Sequence, residues 1–180
     1  AATGILGACS PGAEEAGGTA APPVGNTGSI ETGAPNQAGA FTVPASGSTV
    51  TLAAPESPLD GMEINVPPDA YAGPVELTIN YAPVEEHTFG EAFNPVTPVI
   101  SIDNGELLAG EPLEVTIPVS VPDDQFAMGF FYDEERGTLE GLPLVSRDAD
   151  SVTVATRHFS NIIVSAVNTA LLYADIDSGF

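Results

Sequence analysis

Few residue types in this chain can do chemistry, and they are thinly spread. There are two histidines, His87 and His158, and one cysteine, Cys9. The histidines lie far apart in sequence, and no helical pattern offers either a second ligand three or four positions on, so no metal-ligand cluster is legible. A lone cysteine permits no disulfide within the chain and no thiol chemistry inside a domain. Carboxylates are many but scattered, and none follows the regular spacing of a calcium-binding loop. Asp123-Asp124, Asp133-Glu134-Glu135 and Asp148/Asp150 fall at expected strand ends. Solvated turn residues are the ordinary reading of such groups, with a calcium ion held between loops as the alternative; no other cofactor is expected. No glycine-rich phosphate loop follows a strand, and no Gly-x-Ser-x-Gly nucleophile elbow occurs. One tripeptide stands out, His158-Phe159-Ser160, at the entry to the last expected strand.

The charge balance narrows the function classes. Twenty-five acidic residues face three arginines, Arg136, Arg147 and Arg157, for a formal net charge of −22. Such a surface repels phosphate backbones and anionic headgroups, so nucleic acid is not an expected partner. It favours solubility and the attraction of cations, and its self-repulsion is relieved by salt. An acidic, solvated surface is the plain account; adaptation to high salt is the other.

Cys9 gains meaning from its surroundings. Leu6-Gly7-Ala8-Cys9 resembles a bacterial lipobox, where small residues let a signal peptidase cut before the cysteine and the thiol receives a diacylglycerol. On that reading residues 1–9 are the end of a lipoprotein signal peptide with its lipidation site, Cys9. Residues 10–40 then form a flexible tether dominated by Gly, Ala and Pro, with Val24 and Ile30 as its only large apolar residues. So little apolar surface cannot offset the entropy of ordering. As a coil it would span about 30 Å on average, and on the order of 100 Å pulled straight. No apolar run approaches the roughly 18 residues that a membrane-crossing helix needs.

From Phe41 the texture changes to short alternating runs. Val50 and Leu52, then Met62, Ile64 and Val66, then Val75, Leu77, Ile79 and Tyr81 recur with period two. Ile100 and Ile102, and Leu113, Val115, Ile117 and Val119, follow, then Phe126, Met128, Phe130 and Tyr132. Further runs cover 139–144, 151–156 and 161–167. Period two over short runs means strands with one buried face. About eight or nine of them at this spacing predict an all-β, antiparallel β-sandwich over residues 41–167. Val75, Leu77, Ile79, Val115 and Ile117 should be buried, with Glu76, Thr78 and Glu114 exposed. Pro67-Pro68-Asp69 should end a strand, and residues 133–137 should form a hairpin loop with Gly137 at positive φ. Pro118, inside a strand pattern, places that strand at an edge or a bulge. Residues 168–180 are expected to be a linker to a further domain, with 166–175 able to form a short helix, and the chain to be a piece of a longer protein.

The run from Gly61 through Val167 resembles a known family. Its points of likeness are Ile64-Asn65-Val66-Pro67-Pro68-Asp69-Ala70-Tyr71, the strand carrying Val75 to Tyr81, and Pro112-Leu113-Glu114-Val115-Thr116-Ile117-Pro118. Phe130-Phe131-Tyr132-Asp133-Glu134 and Glu140-Gly141-Leu142-Pro143 come next, and Val152-Thr153-Val154-Ala155-Thr156-Arg157-His158-Phe159-Ser160 closes the pattern. In order and spacing this is similar to the ZU-five domain of ankyrins, netrin receptors and zonula occludens proteins, in its bacterial surface version. Some animal members, and a nucleoporin with similar cleavage chemistry, cut themselves between Phe and Ser of His-Phe-Ser. The resemblance therefore implies a catalytic role for His158, Phe159 and Ser160. Ser160 Oγ would attack the Phe159 carbonyl while His158 takes the hydroxyl proton, and water would hydrolyse the resulting ester. Backbone strain at the turn would help by twisting the amide. The plain alternative is an ordinary strand start, with His158 at the rim, Phe159 in the core and Ser160 outward.

Together these features predict a non-enzymatic structural or interaction module of an exported, lipid-anchored cell-surface protein. It would reach the membrane through a lipid on Cys9 and meet a protein or polysaccharide partner that the sequence does not identify. A self-processing domain cleaving between Phe159 and Ser160 is one alternative. An accessory domain of a larger secreted enzyme is the other.

Overall fold

The computed structural model describes residues 27–121 and 125–168. Cys9 with its lipobox, residues 10–26 of the expected tether, Asp123-Asp124 and residues 169–180 lie outside them. Along the chain run β1 (Ile30–Thr32), β2 (Asn36–Val43), β3 (Ser48–Thr51), β4 (Glu63–Val66), β5 (Val75–Ala82), β6 (Val84–His87) and β7 (Asn94–Pro95). They are followed by β8 (Val99–Asp103), β9 (Leu113–Pro118), β10 (Gln125–Asp133), β11 (Thr138–Gly141), β12 (Leu144–Arg147), β13 (Ser151–Thr156) and β14 (Asn161–Asn168).

Alternation sorts these strands into two layers. β11-β10-β14-β8-β5-β2 form the larger sheet, with β7 also paired to β14, and β12-β13-β9-β4-β3 form the smaller. Every pairing is antiparallel. Val75, Leu77 and Ile79 of β5 meet Val115 and Ile117 of β9 in one core cluster that also holds Ile64, Ile100, Val154 and Ile162. The protein is an all-β antiparallel sandwich. Glu76 is exposed, but Thr78 and Glu114 are only half so. Both sit on interior strands, where the flanking strands shade even the outer face: β5 lies between β2 and β8, and β9 between β13 and β4.

The strands number fourteen among the described residues, more than the alternating runs predict. β1, β2, β6 and β7 lack a clear alternating pattern, and the run 139–144 divides between β11 and β12. The folded unit also begins before Phe41, which corrects the tether boundary. β2 pairs with β5 from Asn36↔Tyr81 to Val43↔Val75, and β1 pairs with β6. The small residues that made this stretch look disordered are what let it lie close. A Cβ on Gly39 would stand 2.7 Å from Leu52 Cδ1. Ile30 is buried, and its backbone N–H donates to the Tyr132 hydroxyl at 3.1 Å.

Two further expectations change with tertiary context. The strand bearing Pro118 is interior, not an edge. The proline is its last residue and faces only Ser151 of β13, beyond the last pair that β9 makes with β4, so its missing N–H breaks no ladder there. On β10 the main core takes the other face from the one the large residues suggest. Ala127 and Phe131 belong to the inter-sheet core, and Gly129 abuts Val154 of β13. Phe130 and Tyr132 pack instead on the outer face, where Ile30, Phe89, Phe93, Val99 and Ile163 make a second cluster under the β1–β6 arm. The larger sheet is thus buried on both faces along this strand. Gly137 has φ of 61°, as the hairpin loop requires. Residues 166–168 belong to β14 rather than to a helix.

Candidate functional site

His158, Phe159 and Ser160 lie in the connection from β13 to β14. Two backbone anchors hold that connection. Thr156 Oγ1 donates to the His158 carbonyl at 2.5 Å and accepts from the His158 N–H at 3.2 Å, a local side-chain turn that ends β13. The Arg157 carbonyl accepts from the Ala109 N–H at 2.7 Å. The His158 imidazole stacks on the Phe131 ring with centroids 4.6 Å apart and planes inclined by 23°. Phe159 is half-buried against the main core, and Ser160 is exposed.

A groove of about 440 Å³ runs beside this connection. His158, Ser160 and Asn161 line one wall. Asp133, Glu134, Glu135 and Glu140, from the β10–β11 hairpin, line the other. Pairing brings them together: Tyr132 lies opposite Asn161, so the hairpin loop after β10 falls beside the residues just before β14. Arg136 is tied into this wall through a 3.0 Å ion pair with Asp133. The Arg136 backbone N–H, at 2.9 Å, and its guanidinium hold the Asp133 carboxyl below the usual carboxylate range.

This arrangement brings two of the three residues named from the sequence, His158 and Ser160, to one groove, with Phe159 against the core, but in resting geometry. The His158 ring faces Phe131, and among the described residues no hydrogen bond joins it to the Ser160 hydroxyl. Among the described residues, the non-glycine ones with left-handed φ are Asp69 and Glu106, so that form of backbone strain lies elsewhere. Chemically, Ser160 is next to the Phe159 carbonyl by covalent structure, and an imidazole is near. The facing carboxylates would oppose negative charge on the carbonyl oxygen, where a cleaving site needs hydrogen-bond donors. His158 at the rim, Phe159 against the core and Ser160 outward match an ordinary strand start.

The acidic wall has no counterpart in the sequence reading. Asp133-Glu134-Glu135 is visible there as turn residues, with a calcium ion between loops as the alternative, and a register across two strands places it by Ser160. The two histidines are not brought together and line different cavities. Among the described residues no group of three or more His, Cys, Asp or Glu side chains is placed to hold a metal ion. No family model matches the chain, and a comparison with curated proteins finds no match.

Proposed function

We propose that this chain is a structural or interaction module of an exported, lipid-anchored cell-surface protein, without an enzymatic substrate of its own. The observation that supports it best is the placement of β14. This last described strand pairs with β10 over its whole length, from Tyr132↔Asn161 to Gln125↔Asn168, and with β8 and β7 on its other side. A load applied beyond Asn168 would pull on a strand held on both edges, and β1 and β2 are likewise paired at the other end of the described chain. That suits a domain holding its neighbours at a fixed place on a surface. The Leu6-Gly7-Ala8-Cys9 sequence supplies the anchor and the ZU-five resemblance the family of such modules. Expressed in a bacterium behind a complete export signal, the chain should take up labelled palmitate and stay with the envelope. Cys9→Ser should do neither, and equal labelling of the two proteins would remove the anchor.

A self-processing reading has one observation in its favour: His158 and Ser160 share the acidic groove beside the Phe159–Ser160 bond. After cleavage, β14 would stay bonded on both edges and the particle would remain whole. Denatured protein would then run as two pieces, and Ser160→Ala as one. Wild-type chain that stays intact for days at neutral pH defeats this reading and leaves the structural one standing.

A further inference from the structure

We infer that the cleft between the β1–β2 turn and the outer face of the larger sheet binds a neutral oligosaccharide. The inference rests on the interaction-module reading and gives that module its partner. Strand register sets the floor of the cleft. Gln37, Asn80, Ser101, Asn161 and Tyr132 stand opposite one another in turn, on β2, β5, β8, β14 and β10, and form one row across five strands. Their chain neighbours Ile79, Ile100, Ile102 and Ile162 fill the inter-sheet core, so the row points outward. The next row on that face pairs Ala82 with Val99, and Val99 lies in the apolar cluster under the β1–β6 arm. The polar row is thus the first to emerge from beneath the arm. Its central members Asn80, Ser101 and Asn161, with Thr32 and Pro35 from the arm side, line a cleft of about 180 Å³.

Asn80, Ser101 and Asn161 are half-buried, and among the described residues their side chains make no hydrogen bond. None of their polar atoms is sealed off from water, so both carboxamides and the hydroxyl open on the cleft. Directly opposed residues carry their Cβ atoms about 5 Å apart, so the three span about 10 Å in a line. Charge then narrows the ligand class. No lysine or arginine lines the cleft, Glu134 does, and the chain carries a net charge of −22, so an anion is repelled. A calcium ion takes about six to eight oxygens at close range, and this row is too long to close around one. A peptide strand adds to a free sheet edge, but β5, β8 and β14 are interior strands. A carboxamide both donates and accepts, as a hydroxyl does, so a line of such groups matches a neutral ligand with hydroxyls along its length. Pro35 and Val99 offer apolar surface to the C–H faces of its rings. The groove beside His158 shares Tyr132, Glu134 and Asn161 with the cleft, so a chain of sugars has room to continue, and the carboxylates there repel acidic ones.

The test is an NMR titration of the isotope-labelled 180-residue chain with cellopentaose, maltopentaose, mannopentaose and chitopentaose. The Asn80 and Asn161 side-chain amides and the Ser101 backbone amide should shift saturably with at least one of them. Pentaethylene glycol, which has hydroxyls only at its ends, an anionic pentagalacturonate and a Gly-Ser decapeptide should bind more weakly by roughly tenfold or more. Asn80→Ala and Asn161→Ala should each weaken the bound glycan about three- to tenfold, the loss of one hydrogen bond. Thr49→Ala, on β3 of the smaller sheet, should leave the affinity unchanged, and the Leu77 and Ile117 methyl signals should stay in place to show an intact fold. No saturable shift with any of the pentaoses, equal binding of the glycol, the galacturonate or the peptide, or unchanged affinity in both asparagine variants would overturn the inference. Such a result leaves the palmitate test of Cys9 unaffected, so the two readings fail separately.

Discussion

Replacing Gly129 by alanine should destabilise this sandwich although it adds apolar surface to the core. Gly129 lies on the inward face of β10, and a Cβ there would stand 2.8 Å from Val154 Cγ1 of β13. Ordinary contact starts at 3.4 Å, so the shortfall is about 0.6 Å. Val154 is fully buried and β-branched, so it has little rotamer freedom with which to yield. Overpacking of this kind costs about 1–3 kcal/mol, and the alanine recovers about 0.4–1 kcal/mol by restricting the unfolded chain. A net loss of about 1–2 kcal/mol lowers the melting midpoint by roughly 2–8 °C. Val154→Ala alone should cost about 1.5–3 kcal/mol, from two lost methyls and the space they leave. In that background the new Cβ fills the space, so Gly129→Ala should become neutral or stabilising. Urea denaturation of the four proteins closes the cycle, with an expected coupling of about 1–2 kcal/mol and an unchanged m-value. Additivity within about 0.5 kcal/mol, or a Gly129→Ala protein more stable than wild type, would refute the close approach of the two sheets at this point.

Tyr132→Phe should remove the acceptor of the Ile30 N–H and loosen the β1–β6 arm by about 1–3 kcal/mol. Hydrogen exchange should quicken at Ile30 and not at Leu77; equal protection at Ile30 in both proteins would count against the bond. Burial raises the pKa of the Tyr71 phenol above 10.0, and the hydrogen bond from Asn104 only partly offsets this. The folded state therefore favours the neutral phenol, and its contribution, complete below pH 10, is lost as pH rises through the folded pKa. Tyr71→Phe should flatten the alkaline fall in stability; an identical fall in both proteins would place its cause elsewhere. Added sodium chloride should raise the melting midpoint, since 25 acidic residues face three arginines and one of those is tied to Asp133. A midpoint flat or falling with salt would show that repulsion does not limit the fold.

Much of the smaller sheet was legible residue by residue. Leu113, Val115 and Ile117 alternate with polar neighbours, and such alternation has one meaning when a strand has one buried face. β10 was less legible for the same reason: it is buried on both. Phe126, Met128, Phe130 and Tyr132 outweigh Ala127 and Gly129 in size, yet the small residues face the main core because β13 comes so close there. β1 and β2 were hidden by their composition. Gly28 before β1 and Gly39 in β2 read as flexibility until Phe89 and Leu52 are seen to occupy the space a side chain would take. At the candidate site, His158-Phe159-Ser160 could be named from sequence, but its stacking on Phe131 and the carboxylates across the groove could not.

The amino-acid sequence by itself determined the class of structure and the sign of its surface. Period-two burial and an excess of carboxylates are properties of each short segment, and need no knowledge of what lies opposite. Tertiary structure alone decided which strands became neighbours, which face of β10 turned inward, and that the β10–β11 hairpin would face His158 and Ser160 across one groove. Those outcomes depend on registers between residues far apart in the chain. A strand carries its alternation wherever it goes, but its partner is chosen only when the whole sandwich closes.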